Sequence, residues 1–189
     1  MVIMSIVLLL FVPTLLVLMN GERSVGALTL ANTRMEPALL QIQSQVNSAS
    51  FLYDPVTDKT SYYNATVPKG FALLMYTTLQ DGTLECSQWR VYSSSLQNRE
   101  WVPHPTTIPI PIPFKTVSPG VTIANSPTAS NPTQKPFQLA GHALPQSEEV
   151  ALNFWLSASK TSSKIQFKTV DSLQGIATTS KFTCVAPPV

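Results

Sequence analysis

Nineteen residues at the head of the chain, Met1 to Met19 (MVIMSIVLLLFVPTLLVLM), carry no charged side chain, and only Ser5, Pro13 and Thr14 relieve the apolar run. At about 1.5 Å of rise per residue, such a run matches a hydrocarbon core of about 30 Å. It predicts a spanning helix over 1–19 and a body held beyond a membrane. No basic residue stands ahead of the run, as it would in an ordinary signal peptide or anchor. The run therefore reads as the interior of a membrane helix, in which Pro13 is tolerated and marks a bend.

The helical pattern does not stop at Met19. A polar step, Asn20-Gly21-Glu22-Arg23, is followed by Leu28, Ala31, Met35, Leu39, Ile42, Val46 and Ala49 at alternating intervals of three and four. That spacing draws one apolar stripe along an α-helix. Asn32, Arg34, Gln41, Gln43, Gln45 and Asn47 fall on the polar side. Pro37 removes one backbone bond, which predicts a bend or brief break there. The expectation is one long helix, with a transmembrane half over 1–19 and an amphipathic half over 20–50.

From Phe51 the period shortens. Pro68-Lys69-Gly70 opens a strand through Phe71 to Leu79, and Asp81-Gly82 joins it to a second strand over Thr83–Tyr92. An Asp-Gly pair between apolar runs is a strong hairpin signal. Ser93-Ser94-Ser95 makes a further turn into Leu96–Trp101, completing a three-stranded meander. Pro103 to Pro113 holds too many prolines for a ladder and reads as extended, polyproline-like chain. A short strand near Val121–Ala124 precedes a polar loop, Asn125 to Pro136. The alternation of Val150, Leu152, Phe154 and Leu156 predicts a half-buried strand partnered by Ile165 and Phe167. The fold class expected is α+β: a long N-terminal helix packed on an extracytoplasmic antiparallel β-domain over 51–189.

Composition narrows the function. Charged residues make up 12% of the 189 residues and the net charge is +2, which excludes the clustered basic face of an electrostatic nucleic-acid binder. Many Ser, Thr, Asn and Gln side chains and 16 prolines suit a loop-rich exported domain. Cys86 and Cys184 are the two cysteines; in an exported chain they either pair in a structural disulfide or stand as separate buried thiols, and sequence leaves both open.

Catalytic constellations are scarce. His104 lies between prolines and His142 follows Gly141, neither at a metal-ligand spacing. Glu148-Glu149 are adjacent and point to opposite faces of a strand, so they do not converge as an acid–base pair. Gly-rich phosphate loops and nucleophile elbows are missing. Asn64-Ala65-Thr66 fits a glycosylation sequon and reads as an exposed turn. Tyr62-Tyr63, Trp89, Trp101 and Trp155 fit cross-strand packing better than a sugar platform. Neither catalysis nor a cofactor or metal is expected.

On these residues the N-terminal segment resembles the helix of type IV pilins and type II secretion pseudopilins. In that family a prepilin peptidase cuts after a glycine, and an apolar run with a helix-bending proline follows a start similar to Phe-Thr-Leu-Ile-Glu-Leu. Restoring about nine family-type residues ahead of Met1, some two and a half helical turns, sets Pro13 on that proline. The processing glycine and the assembly glutamate have no counterpart in the chain, so an upstream start is expected. Gln41 to Ala49 is similar to the end of the long helix in minor pseudopilins of the J type. Cys86-Ser87-Gln88-Trp89-Arg90-Val91-Tyr92 and Leu96-Gln97-Asn98-Arg99-Glu100-Trp101 resemble the strand–turn–strand of that group more loosely, and Lys135-Pro136-Phe137-Gln138-Leu139 loosely resembles actinobacterial-type members. The resemblance implies a bacterial filament subunit, single-pass in the cell membrane, with its C-terminal domain extracytoplasmic. Ile3, Ile6, Leu10, Leu28, Met35, Leu39, Ile42 and Val46 would pack helices in the filament. Its partners would be other pilin or pseudopilin subunits, membrane lipid, and prepilin peptidase if a full-length start exists.

Two other readings stay open. Val25-Gly26-Ala27 has the small residues a signal peptidase accepts, which would make 1–27 a cleaved signal ahead of a secreted β-domain. Alternatively the run is a simple anchor for a surface binding module.

Overall fold

In the computed structural model the described residues are 2–56, 67–79, 81–103, 112–126, 134–139, 149–157, 164–172 and 184, with the helical side chains 2–11, 14 and 24 left outside the description. They form one helix, α1 (Val2–Ser48), and nine strands: β1 (Ala49–Leu52), β2 (Ala72–Thr78), β3 (Leu84–Tyr92), β4 (Ser95–Trp101), β5 (Lys115–Thr116), β6 (Thr122–Ile123), β7 (Phe137–Leu139), β8 (Glu149–Ser157) and β9 (Lys164–Ser172). Residues 104–111 of the proline-rich stretch, the Asn64 sequon, Tyr62-Tyr63, His104, His142 and Glu148 lie outside the described residues.

The strands make two antiparallel sheets. The first runs β1-β2-β3-β4-β5 in chain order, and the second sets β8 between β6 and β7 on one side and β9 on the other. Local chemistry explains the connections of the first sheet. Asp81 Oδ1 accepts the Thr83 N–H at 2.8 Å, and Gly82 takes a φ of 81°, so the Asp-Gly pair closes the β2–β3 turn. Between β3 and β4, Tyr92 pairs with Ser95 across a two-residue turn in which Ser93 (φ 48°) and Ser94 (φ 60°) are both left-handed. That is the backbone twist a tight hairpin prefers, here made without a glycine.

In the second sheet, Asn125 stands in for missing ladder. Its Nδ2 donates to the Asn153 carbonyl at 2.8 Å and to the Gln134 carbonyl at 2.9 Å, while its Oδ1 accepts the Trp155 N–H at 2.9 Å. One buried amide thus fastens the segment after β6 to β8. Alternation along β8 sends Val150, Leu152, Phe154 and Leu156 into the core, where Phe154 meets Phe137 edge-on at 5.5 Å between ring centroids.

The core lies where the last turns of α1 meet both sheets. Ala31, Met35, Ala38, Leu39, Ile42 and Val46 are buried with Leu73, Met75, Trp89 and Leu96 of the first sheet and Val150, Leu152 and Phe154 of the second. A second, smaller core forms on the opposite face of the first sheet. There Tyr53, Leu74, Tyr76 and Trp101 surround the Cys86–Cys184 disulfide. The Tyr53 hydroxyl accepts the Cys184 N–H at 2.8 Å, so Cys184 is tied to the residue just past β1.

The architecture corrects the expected fold class. A transmembrane-then-amphipathic helix laid on one β-domain is not what forms. The folded body is mostly antiparallel sheet, in two sheets rather than one, and α1 enters its core only from Ala31 onward. Among the described residues, no helix is long and apolar enough to cross a membrane. The transmembrane and single-pass assignments, and with them a single-pass place in the cell membrane, are overturned. At Pro37 no break appears either; α1 continues through both Pro13 and Pro37.

Candidate functional site

The positions proposed from sequence for packing helices together divide sharply. Met35, Leu39, Ile42 and Val46 are buried, and the groups they touch belong to their own sheets rather than to another molecule. Leu28 is half-buried at the border. Ile3, Ile6 and Leu10 lie within the backbone span of α1, with side chains outside the description, and Pro13 is exposed. The stripe read as a seam between subunits is instead the chain's own core face.

The uncovered surface is further toward the N-terminus. Leu15, Leu16, Val17 and Leu18 are 45%, 54%, 71% and 64% exposed. Successive helical residues step by about 100°, so four exposed apolar neighbours in a row point to all sides of the rod. Val12, Met19, Val25 and Leu30 extend the same surface. A helix that is apolar all round is one whose surroundings are meant to be apolar all round.

Two glutamines on the flanks of the buried stripe hold this rod to the body. Gln45 Oε1 accepts the Trp89 indole N–H at 2.6 Å and the Ser87 hydroxyl at 3.3 Å, and Gln45 Nε2 donates to Glu100 Oε1 at 2.6 Å. Asn98 Nδ2 donates to the same Glu100 oxygen at 3.4 Å. On the other flank, Gln43 Nε2 donates to Asp171 Oδ1 at 3.4 Å. One amide engages the first sheet and the next-but-one engages the second. Sequence reasoning placed both on the polar side of the helix. The available signal was their chemistry: neutral amides, not Lys or Glu, flank the stripe, and an amide is the group that can be half-buried without a counter-charge.

Electrostatics mark the same zone. Burial raises the Asp171 carboxyl above its ordinary value, opposed by the Gln43 bond, and Asp171 Oδ2 has no hydrogen-bond partner among the described residues. Glu85 is raised too, by burial first and by the charge of Glu100 second. A cleft of about 590 Å³ opens beside Gln41 between the helix and the β4–β5 edge, lined also by Asn98, Glu100, Lys115 and Thr116. Its polar groups come from side chains already bonded to one another or open to solvent. Among the described residues, no three His, Cys, Asp or Glu side chains gather to hold a metal.

Cys86 and Cys184, left open by the sequence, are joined, with 5.9 Å between their Cα atoms.

Compared with known proteins, the chain matches no family model, no curated protein and no solved structure.

Proposed function

We propose that this chain is a structural subunit of a pilin- or pseudopilin-type filament, assembling helix against helix through the N-terminal part of α1 while the two-sheet body rides outside. The observation that carries the proposal is the run Leu15–Leu18, exposed on every side of the rod where the body does not reach. Magnitude favours many neighbours over one. Fully burying a large apolar side chain stabilises by about 1.5–3 kcal/mol, so the eight that are roughly half exposed supply on the order of 10 kcal/mol when covered completely. Association costs about 4–15 kcal/mol before any surplus appears. A single partner covers one side of the rod and recovers only part of that gain, whereas a bundle covers all sides and recovers all of it. Catalysis has no place in this reading, and the subunit acts by occupying its position.

Sedimentation velocity of the full chain tests it. The native chain is expected to form higher assemblies above micromolar concentration, and the double variant Leu16→Glu, Val17→Lys to sediment as a monomer with unchanged near-UV circular dichroism. A native chain that stays monomeric at about 100 µM, or a variant that assembles as well as the parent, refutes the proposal.

A further inference from the structure

The outer face of the first sheet holds two arginines that have been taken out of water with no acid to meet them among the described residues. Arg90 on β3 is 8% exposed and Arg99 on β4 is 4% exposed. The register sets Arg90 opposite Gln97 and Arg99 opposite Gln88, so the two cations occupy diagonal positions on one face. Each is held by the neutral amide across from it. Arg90 Nε donates to Gln97 Oε1 at 2.8 Å; Arg99 Nε and Nη2 both donate to Gln88 Oε1, at 2.9 and 2.7 Å, and its Nη1 reaches the Ile112 carbonyl at 3.3 Å. Both guanidinium groups lie against the Phe114 ring, 3.5 Å and 4.3 Å from its centroid, with Tyr92 and Trp101 beside them.

Neutral amides and ring faces orient a guanidinium but do not balance its charge. Arg99 accordingly loses its proton more easily than usual, at about 10, because of burial and of its like-charged neighbour. The two ends of the cluster differ in how much hydrogen-bonding capacity remains. All three nitrogens of Arg99 are engaged, whereas Arg90 uses only Nε, and neither of its Nη atoms has an acceptor among the described residues. An Nη1–Nη2 edge fixed by the Nε bond to Gln97 and by the Phe114 ring presents two parallel N–H donors. That is the geometry which receives the two oxygens of a carboxylate.

We propose that Arg90, braced by Gln97 and Phe114 and reinforced by the charge of Arg99, is a binding site for a carboxylate group. The site is independent of the apolar helix, and the assembly reading stands or falls without it. A carboxylate docked end-on at Arg90 supplies the missing negative charge to both arginines, and the aromatic walls of Tyr92 and Phe114 exclude water from its flanks. Two sources of that chemistry exist, a free small acid and an acidic side chain of a peptide.

The test is a titration of the full chain at constant ionic strength, following intrinsic tryptophan fluorescence and thermal midpoint, with sodium acetate, with a capped Glu-rich hexapeptide, and with its Gln counterpart as control. Saturable binding of acetate or of the Glu peptide, weakened at least tenfold in Arg90→Gln and partly restored in Arg90→Lys, is the expected result. A response to acetate alone assigns a free acid, and one to the Glu peptide alone assigns a peptide. Lack of saturation with both, equal binding by the Gln peptide, or undiminished binding by Arg90→Gln overturns the site. Circular dichroism checks that Arg90→Gln folds; if it does not, the native chain's discrimination between Glu and Gln peptides decides the matter by itself.

Discussion

Replacing Gln45 by methionine keeps the length and volume of the side chain and removes both of its polar functions. The indole N–H of Trp89, a residue with no exposed surface, then loses its acceptor at 2.6 Å. A buried donor left without a partner costs about 1–3 kcal/mol. The Ser87 hydroxyl, at 3.3 Å, also loses its acceptor but can rotate, and Glu100 is exposed and can turn to water, so each adds only a few tenths. Met gains back part of a methylene's worth of apolar packing, and the net expectation is a loss of about 2 kcal/mol. For a body of this size that lowers the thermal midpoint by roughly 4–8 °C. The decisive assay is a double-mutant cycle in urea with Trp89→Phe, which removes the donor that Gln45 serves. If the indole bond carries the effect, Gln45→Met costs at least about 1 kcal/mol less when Trp89→Phe is already in place. Additivity of the two substitutions within about 0.5 kcal/mol would refute the assignment of Gln45 as the clamp between helix and first sheet.

Reduction of the Cys86–Cys184 bridge, which closes a loop across 98 residues, should lower stability by about 4–5 kcal/mol on the chain-entropy account, read as the change in urea midpoint with and without dithiothreitol. Ser94→Gly removes a side chain from a left-handed position (φ 60°) and should stabilise the β3–β4 turn by about 1 kcal/mol, visible as a higher urea midpoint with an unchanged slope. Because burial raises the Asp171 carboxyl in the folded state, the folded chain binds this proton more tightly than the unfolded chain does. The stabilising contribution is therefore complete below the ordinary carboxyl value of 3.8 and is lost as pH rises through the higher folded value. Asp171→Asn should flatten that segment of the stability–pH curve and leave the chain more stable than the parent at neutral pH, measured by urea unfolding at about pH 3, 5 and 7.

Local patterns carried a good deal of this structure. The Asp81-Gly82 turn, the alternation of Val150 to Leu156 and the stripe from Ala31 to Val46 are all short-range regularities, and each is written in residues that sit within a turn or two of one another. The division into two sheets is not of that kind. β8 takes β6, β7 and β9 as neighbours, and nothing in the two- or three-residue strands β6 and β7 announces which edge they will join; Asn125 makes that choice through contacts with Gln134 and Asn153. Even the buried stripe was legible only as a stripe. An apolar face states that it needs cover, not whether the cover is a neighbouring molecule or the chain's own sheets, and for Met35, Leu39, Ile42 and Val46 the cover is the chain's own.

What the sequence settles by itself is therefore periodicity: where the backbone must coil, where it must extend, and which side chains must leave water. Tertiary structure alone decided that the helix flanks are gripped by Gln43 and Gln45, that Cys86 and Cys184 meet, and that Arg90 and Arg99 share one aromatic ring. The physical reason is range. Burial preferences are properties of single residues and repeat along the chain, whereas hydrogen bonds, disulfides and charge pairing are properties of pairs, satisfied only by partners that folding brings from tens of residues away.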